Sequence, residues 1–153
     1  MIDPWFRTFE GFATLIAKDW LGFGHMFHKR LGHYSTEDMK NRSQCFLQWL
    51  DCVHQLWHQM SGQFEFNSEY LLFLAKHLYS CKYGTWFYNC EFERQNSRIR
   101  ENTLSIFTEV ELKKDTEFRN PYYVGARFLS RLTQIPVTDY YRLRVWKEYF
   151  YCY

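Results

Sequence analysis

No apolar run in these 153 residues approaches the ~18 needed to cross a bilayer, so a helical membrane span is excluded. The opening Met1-Ile2-Asp3-Pro4-Trp5 lacks the basic start and apolar stretch of a secretory leader. A net charge of +2 without a clustered basic face gives no case for nucleic acid as a partner. There is no internal repeat, no low-complexity tract and no convincing set of alternating strands. The five cysteines (Cys45, Cys52, Cys81, Cys90 and Cys152) are odd in number and widely spaced. Without a secretion signal they read as reduced cytosolic thiols, most of them buried as small hydrophobes.

One catalytic device is also missing. A cysteine phosphatase needs a thiolate at a helix N-terminus, amides around the phosphate, and an arginine six residues after the cysteine. The sixth residue after Cys45 is Asp51; after Cys52, Cys81 and Cys90 come His58, Phe87 and Asn96. After Cys152 the sequence runs out. No such loop lies within these residues.

What the chain has in excess is aromatic surface: 15 Phe, 12 Tyr and 6 Trp, 22% of its residues. Each brings roughly 150–250 Å² to bury, and a single domain of this length has limited interior. Some of these rings are therefore expected at an interface, or beneath a segment that is not part of the 153 residues. An apolar content of 46% rules out a disordered chain.

The pattern reads as mainly α. Asp3-Pro4 is a helix start, followed at helical spacing by Trp5, Phe9, Phe12, Ile16 and Trp20, with Gly22 and Gly24 ending the element. Residues 23–30 read as a connector and 34–43 as an exposed loop. Ser43 is expected to open the clearest helix, with the stripe Phe46, Leu50, Val53, Trp57 and Met60, stopped by Ser61-Gly62. Phe64 and Phe66 flank Glu65 in a short extended link. Asn67 or Ser68 caps the next helix, whose stripe is Leu71, Leu74, Leu78 and Cys81. Residues 93–102 read as a polar linker and 103–110 as a short helix. Asn120-Pro121 is a turn signal, and Ile135-Pro136 precedes an amphipathic stretch with Leu143, Trp146, Tyr149 and Phe150.

Other constellations are weak. His54 and His58 are four apart, but Gln55 stands where a zinc protease would carry glutamate. These histidines, like the looser set His25, His28 and His33, read as packing or surface groups rather than ligands. Glu37-Asp38, Glu91 with Glu93, and Glu109 with Glu111 read as solvated surface. No metal and no cofactor is expected. The remaining feature is basic: His25, His28, Lys29 and Arg30 fall within six residues. Arg30 can donate two hydrogen bonds to a phosphate and Lys29 can add a point charge; read alone, the segment is a small solvated basic turn.

Several strings in the chain resemble the myotubularin-type phosphoinositide 3-phosphatases. They are Asp3-Pro4-Trp5-Phe6-Arg7-Thr8, Gly11-Phe12, Lys18-Asp19-Trp20-Leu21-Gly22-Phe23-Gly24-His25 and Arg30-Leu31-Gly32-His33. Further matches are Phe46-Leu47-Gln48, Asp51-Cys52, Gln63 to Asn67, Glu69-Tyr70-Leu71, His77 to Cys81, Gly84-Thr85, Asn120-Pro121 and Leu143-Arg144-Val145-Trp146 with Tyr149. The resemblance runs nearly end to end. It implies that residues 1–153 are a partial domain: the helical C-terminal portion of an α/β, protein-tyrosine-phosphatase-like cysteine-phosphatase domain whose central sheet and nucleophile loop are absent. It implies Arg30 as a contact to substrate phosphate, with Lys29 as an unaligned substitute for a first arginine whose place Met26 occupies. It further implies a phosphoinositide membrane surface as partner through the intact parent, a myotubularin-family protein partner, and a cytoplasmic location peripheral to endosomal-type membranes. On this reading the 153 residues alone are inactive. Two alternatives stay open: a non-catalytic scaffold of the same family, and a free-standing helical interaction module.

Overall fold

The computed structural model describes residues 3–33, 39–125 and 136–152. Glu37-Asp38, part of the 34–43 loop and Ile135 lie outside the described residues. Among the described residues there is no strand; one isolated antiparallel bridge joins Phe66 to Arg119.

The chain opens on a 3-10 turn, Pro4–Arg7, for which Asp3 accepts from the Trp5 amide at 2.9 Å. It does not run on as one helix. Thr8 recaps the chain, accepting from the Gly11 amide at 3.0 Å, and α1 (Phe9–Leu15) follows, continuing as a π-helical stretch Ile16–Gly22. The longest helix is α3 (Cys45–Gln59), preceded by the short α2 (Phe27–Leu31); α4 (Ser68–His77) comes next. Asn67 caps α4, accepting from the Tyr70 amide at 3.2 Å. Then come α5 (Glu91–Asn96), α6 (Ile99–Asn102), α7 (Ile106–Lys113) with a π-helical extension Lys114–Phe118, and α8 (Lys147–Phe150).

Most of the aromatic excess goes into one core. Phe12 stacks on Trp49 at 5.3 Å and meets Phe66 at 5.0 Å; Phe66 meets Tyr70 at 4.9 Å. Trp20 and Phe27 close on Phe46 at 4.8 and 5.1 Å, and Trp86 joins at 5.2 Å. Tilted and edge-on rings at these spacings gain quadrupole attraction beyond their buried area. Other rings stay outside: Phe23, Phe92, Tyr122 and Tyr141 are between 72% and 80% exposed.

The extended link 64–67 is the seam of the fold. The Glu65 amide donates to the Arg7 carbonyl at 2.9 Å. On its other side the Asn67 amide donates to the Phe118 carbonyl, and the Asn120 amide to the Glu65 carbonyl, each at 2.8 Å. Asn120 makes the expected turn and more: buried, it donates to the carbonyls of Ser61 and Phe64 and accepts from the Tyr122 amide. At the C-terminal end Trp146 is 1% exposed and stacks on His54 at 4.5 Å. Gln55 and Gln59, one turn apart on α3, each pair in both directions with one backbone residue of that end, Arg144 and Val137.

Several expectations need correction. Residues 27–31 are a helix rather than a connector, because Phe27 and Leu31, one turn apart, bury one face, and Gly32 (φ +72°) closes it in the left-handed region. The polar run 93–102 holds α5 and α6; buried Arg94 and Ile99 tether it to the body. Ser43 does not cap α3; its hydroxyl lies 2.9 Å from the Cys45 sulfur, and Gln44 stands at the cap without a side-chain bond. The helix expected at 103–110 is Ile106–Lys113, with Ser105 as its cap. Cys81 lies beyond α4 and is exposed. All five cysteines are free, four of them exposed and Cys90 half-buried, so burial as small hydrophobes is wrong here; aromatic rings occupy the interior instead. Glu109 is not simply solvated: it accepts from Tyr83 and Lys82, and the Tyr83 hydroxyl holds its carboxyl below the usual range.

Candidate functional site

The basic segment lies on α2 and the turns around it. Its leading amides are capped from far along the chain. The His28 amide points to the Tyr88 carbonyl at 3.5 Å, and the Lys29 amide donates to Asn89 Oδ1 at 3.0 Å. Asn89 is itself held by Glu93, whose carboxylate accepts the Asn89 amide at 2.8 Å. Residues 88–93 thereby fix the helix that carries Lys29 and Arg30.

Lys29 and Arg30 are both half-buried. Arg30 Nη1 donates to the Asn41 carbonyl at 3.1 Å, and the Arg30 carbonyl accepts the Ser43 amide at 3.1 Å. Arg30 therefore braces the segment entering α3, and one bond uses one of a guanidinium's five N–H donors. Its charge is felt at His25, whose pKa is lowered first by burial and then by Arg30. His33 Nε2 lies 2.7 Å from the Leu78 carbonyl and so carries the proton on that nitrogen; burial pulls its pKa down. His28 packs between the rings of His33 and Tyr88, each at 6.3 Å. Met26, an uncharged side chain, is 39% exposed beside them.

The structure thus gathers His25, His28, Lys29, Arg30 and His33 around one short helix. The other histidine pair lies elsewhere: His54 packs under Trp146, and His58 Nε2 faces Arg144 Nη1 at 2.7 Å. Among the described residues no group of three or more His, Cys, Asp or Glu side chains could hold a metal. Asn89 was missed by sequence reasoning, and Glu93, expected as solvated surface, instead accepts the Asn89 amide. They lie in or beside a run of polar residues, where nothing in the pattern marks a polar side chain as buried or as a partner of a helix 60 residues earlier.

What the arrangement offers chemically is an arginine and a lysine on one short helix, side chains that can donate to an oxyanion, with no Cys-x5-Arg loop in the 153 residues. The family model of the Myotubularin-like phosphatase domain matches residues 1–95, and the chain belongs to that family. Rat Myotubularin is 41% identical over 151 residues, 98% of this chain and 24% of that protein. The phosphatidylinositol-3,5-bisphosphate 3-phosphatase MTMR6 of Caenorhabditis elegans is 41% identical over 135 residues, 86% of this chain and 20% of that protein. The human phosphatidylinositol-3,5-bisphosphate 3-phosphatase MTMR8 is 38% identical over 146 residues. The chain spans about a quarter of the length of the first of these relatives.

Proposed function

We propose that these residues are the helical C-terminal part of a protein-tyrosine-phosphatase-like domain that removes the 3-phosphate from phosphatidylinositol 3-phosphate or its 3,5-bisphosphate. The supporting observation is 41% and 38% identity, over 86% and 95% of the chain, to two proteins named as phosphatidylinositol-3,5-bisphosphate 3-phosphatases. The reaction needs a cysteine thiolate that attacks phosphorus as the bond to the inositol 3-oxygen breaks and that oxygen takes a proton, a phosphocysteine that water then hydrolyses to inorganic phosphate and free thiolate, and an arginine that steadies the equatorial oxygens. No Cys-x5-Arg lies in the 153 residues, so by themselves they turn over nothing. Their part is to support the nucleophile loop of the parent and to present Arg30, with Lys29 beside it, to a substrate phosphate. Met26 contributes no charge there, which weakens the hold on a second phosphate. The membrane contact and any family partner come through the parent, at the cytoplasmic face of endosomal-type membranes.

The reading is tested on the coding sequence before Met1 and on the protein it encodes. An in-frame Cys-x5-Arg loop and phosphate release from phosphatidylinositol 3-phosphate by the longer product support it. A loop lacking the cysteine or arginine favours the scaffold alternative. Phosphate release by the purified 153-residue chain, lost in Arg30→Ala, overturns the assignment of the chemistry to residues outside it.

A further inference from the structure

The C-terminal end of α3 meets the segment that carries Pro136 to Arg144 in an open cleft of about 600 Å³. Gln55 and Gln59 form one wall, and both side-chain amides hold that segment in place. Gln55 Oε1 accepts the Arg144 amide at 3.1 Å, while its Nε2 donates to the Arg144 carbonyl at 2.6 Å and to Asp51 Oδ1 at 3.2 Å. Gln59 grips Val137 in the same two-way manner, at 2.9 and 3.1 Å.

The charged part of the wall is Arg142 and Arg144, both exposed to solvent. Arg144 Nη1 lies 2.7 Å from His58 Nε2. A guanidinium has no acceptor, so the imidazole nitrogen is the acceptor there and the contact orients the arginine. The remaining donors of Arg144, and the whole Arg142 side chain, have no hydrogen-bond or ion-pair partner among the described residues. The rest of the wall is Met60, Pro136, Val137 and Tyr141, so no carboxylate lines the cleft. Asp51, Asp139 and Glu148 are near in sequence, but none is part of the wall; Asp51 touches Gln55 instead.

Leu143 is extended, which puts the backbones of its two neighbours about 6.6 Å apart. Two long side chains rooted that close can reach a single ligand. Each guanidinium offers paired N–H donors to two oxygens. A carboxylate has one charge and two oxygens and is satisfied by one such fork. Two forks call for a group with more charge and more oxygens.

We propose that this cleft binds a phosphate monoester or diphosphate group through Arg142 and Arg144. The proposal does not depend on the phosphatase reading, and the cleft is not the Arg30 site. The Arg30 carbonyl accepts the Ser43 amide just before α3 begins, and the 15 residues of α3 place its far end about 22 Å away.

The test is calorimetric titration of the full chain with pyrophosphate, inorganic phosphate and acetate at one ionic strength, with amide shifts to locate the site. Pyrophosphate is expected to bind with a millimolar or lower Kd and acetate at least about tenfold more weakly, the difference of one charge-assisted contact. The shifts should cluster at 55–60 and 137–144. Arg142→Gln and Arg144→Gln should each weaken pyrophosphate about tenfold, whereas Lys76→Gln, which removes an exposed charge on α4, should not. Vesicles of phosphatidylcholine with and without phosphatidic acid separate the two sources of the phosphate. Binding to the phosphatidic acid vesicles that both arginine variants lose assigns a lipid head group; pyrophosphate binding without vesicle binding assigns a soluble phosphate; either supports the site. Acetate binding as tightly as pyrophosphate overturns the two-arginine grip. Equal losses in Lys76→Gln, no loss in the arginine variants, shifts confined to 27–31, or no pyrophosphate binding at millimolar concentration overturn the site.

Discussion

Gly11→Ala provides a sign test of the packing at the start of the chain. In an ordinary helix interior this substitution stabilises by about 1 kcal/mol, because alanine has less backbone freedom to lose. Here a Cβ on residue 11 would lie 1.9 Å from the Trp5 carbonyl oxygen, 2.6 Å from its carbon and 3.0 Å from Phe6 Cα. All three are backbone atoms, so no rotamer change relieves the clash. Carbon–oxygen contacts settle near ~3.3 Å, so the 3-10 turn must retreat by more than ~1 Å. The Trp5 carbonyl accepts from the Thr8 amide at 3.0 Å and from the Thr8 hydroxyl at 2.7 Å, and that movement strains both bonds. Overpacking costs ~1–3 kcal/mol and a weakened hydrogen bond ~1 kcal/mol. Against the helix gain, the net expectation is destabilisation of about 2 kcal/mol, which lowers the melting temperature by about 4–8 °C in a domain of this size. Gly24→Ala is the comparison: φ is +80° with nothing within 4 Å of the added atom, so it should lose only the roughly 1 kcal/mol of left-handed strain. Thermal melts of the three proteins followed by circular dichroism decide it. A Gly11→Ala variant that melts at or above the wild-type temperature refutes the close approach.

Stability should fall on acidification. His25, His33, His54 and His77 all have pKa values lowered from the ordinary 6.5, burial being the largest cause in each. The unfolded chain therefore binds protons at a pH where the folded one resists them. The stabilisation is complete above 6.5 and is lost as pH drops from there through the folded-state values. Urea midpoints measured between pH 7.5 and 5 should decrease. His54→Phe, which keeps a ring against Trp146, should show a shallower decrease; an unchanged slope would remove His54 from the account. The exposed thiols give a different readout: in the native chain Cys45, Cys52, Cys81 and Cys152 should react rapidly with a thiol reagent and Cys90 more slowly. Reaction only after denaturant is added would contradict their placement.

The long elements were legible because local chemistry and burial agree there. The stripe of α3 repeats at three and four residues, and its first three members, Phe46, Leu50 and Val53, are buried. Asn67 caps α4 as a short polar side chain before an apolar run should. Asn120 turns the chain where Asn-Pro predicts. The shortest helices α2, α5 and α6 were not legible. A five-residue helix such as α2 has little intrinsic stability, and its existence depends on Phe27 reaching the core and on Asn89 meeting its N-terminus.

The candidate site divides in the same way. That Lys29 and Arg30 are neighbours, that the family strings are present and that no Cys-x5-Arg exists are properties of the linear order. Residue order alone settles them, because a motif needs only adjacent residues. That Arg30 braces the entry to α3, that Arg94 is buried with its Nε on the Phe87 carbonyl, and that four of the five cysteines are exposed were decided by the tertiary structure. Burial and pairing depend on which distant segments meet, and a polar side chain carries no local mark of its eventual partner.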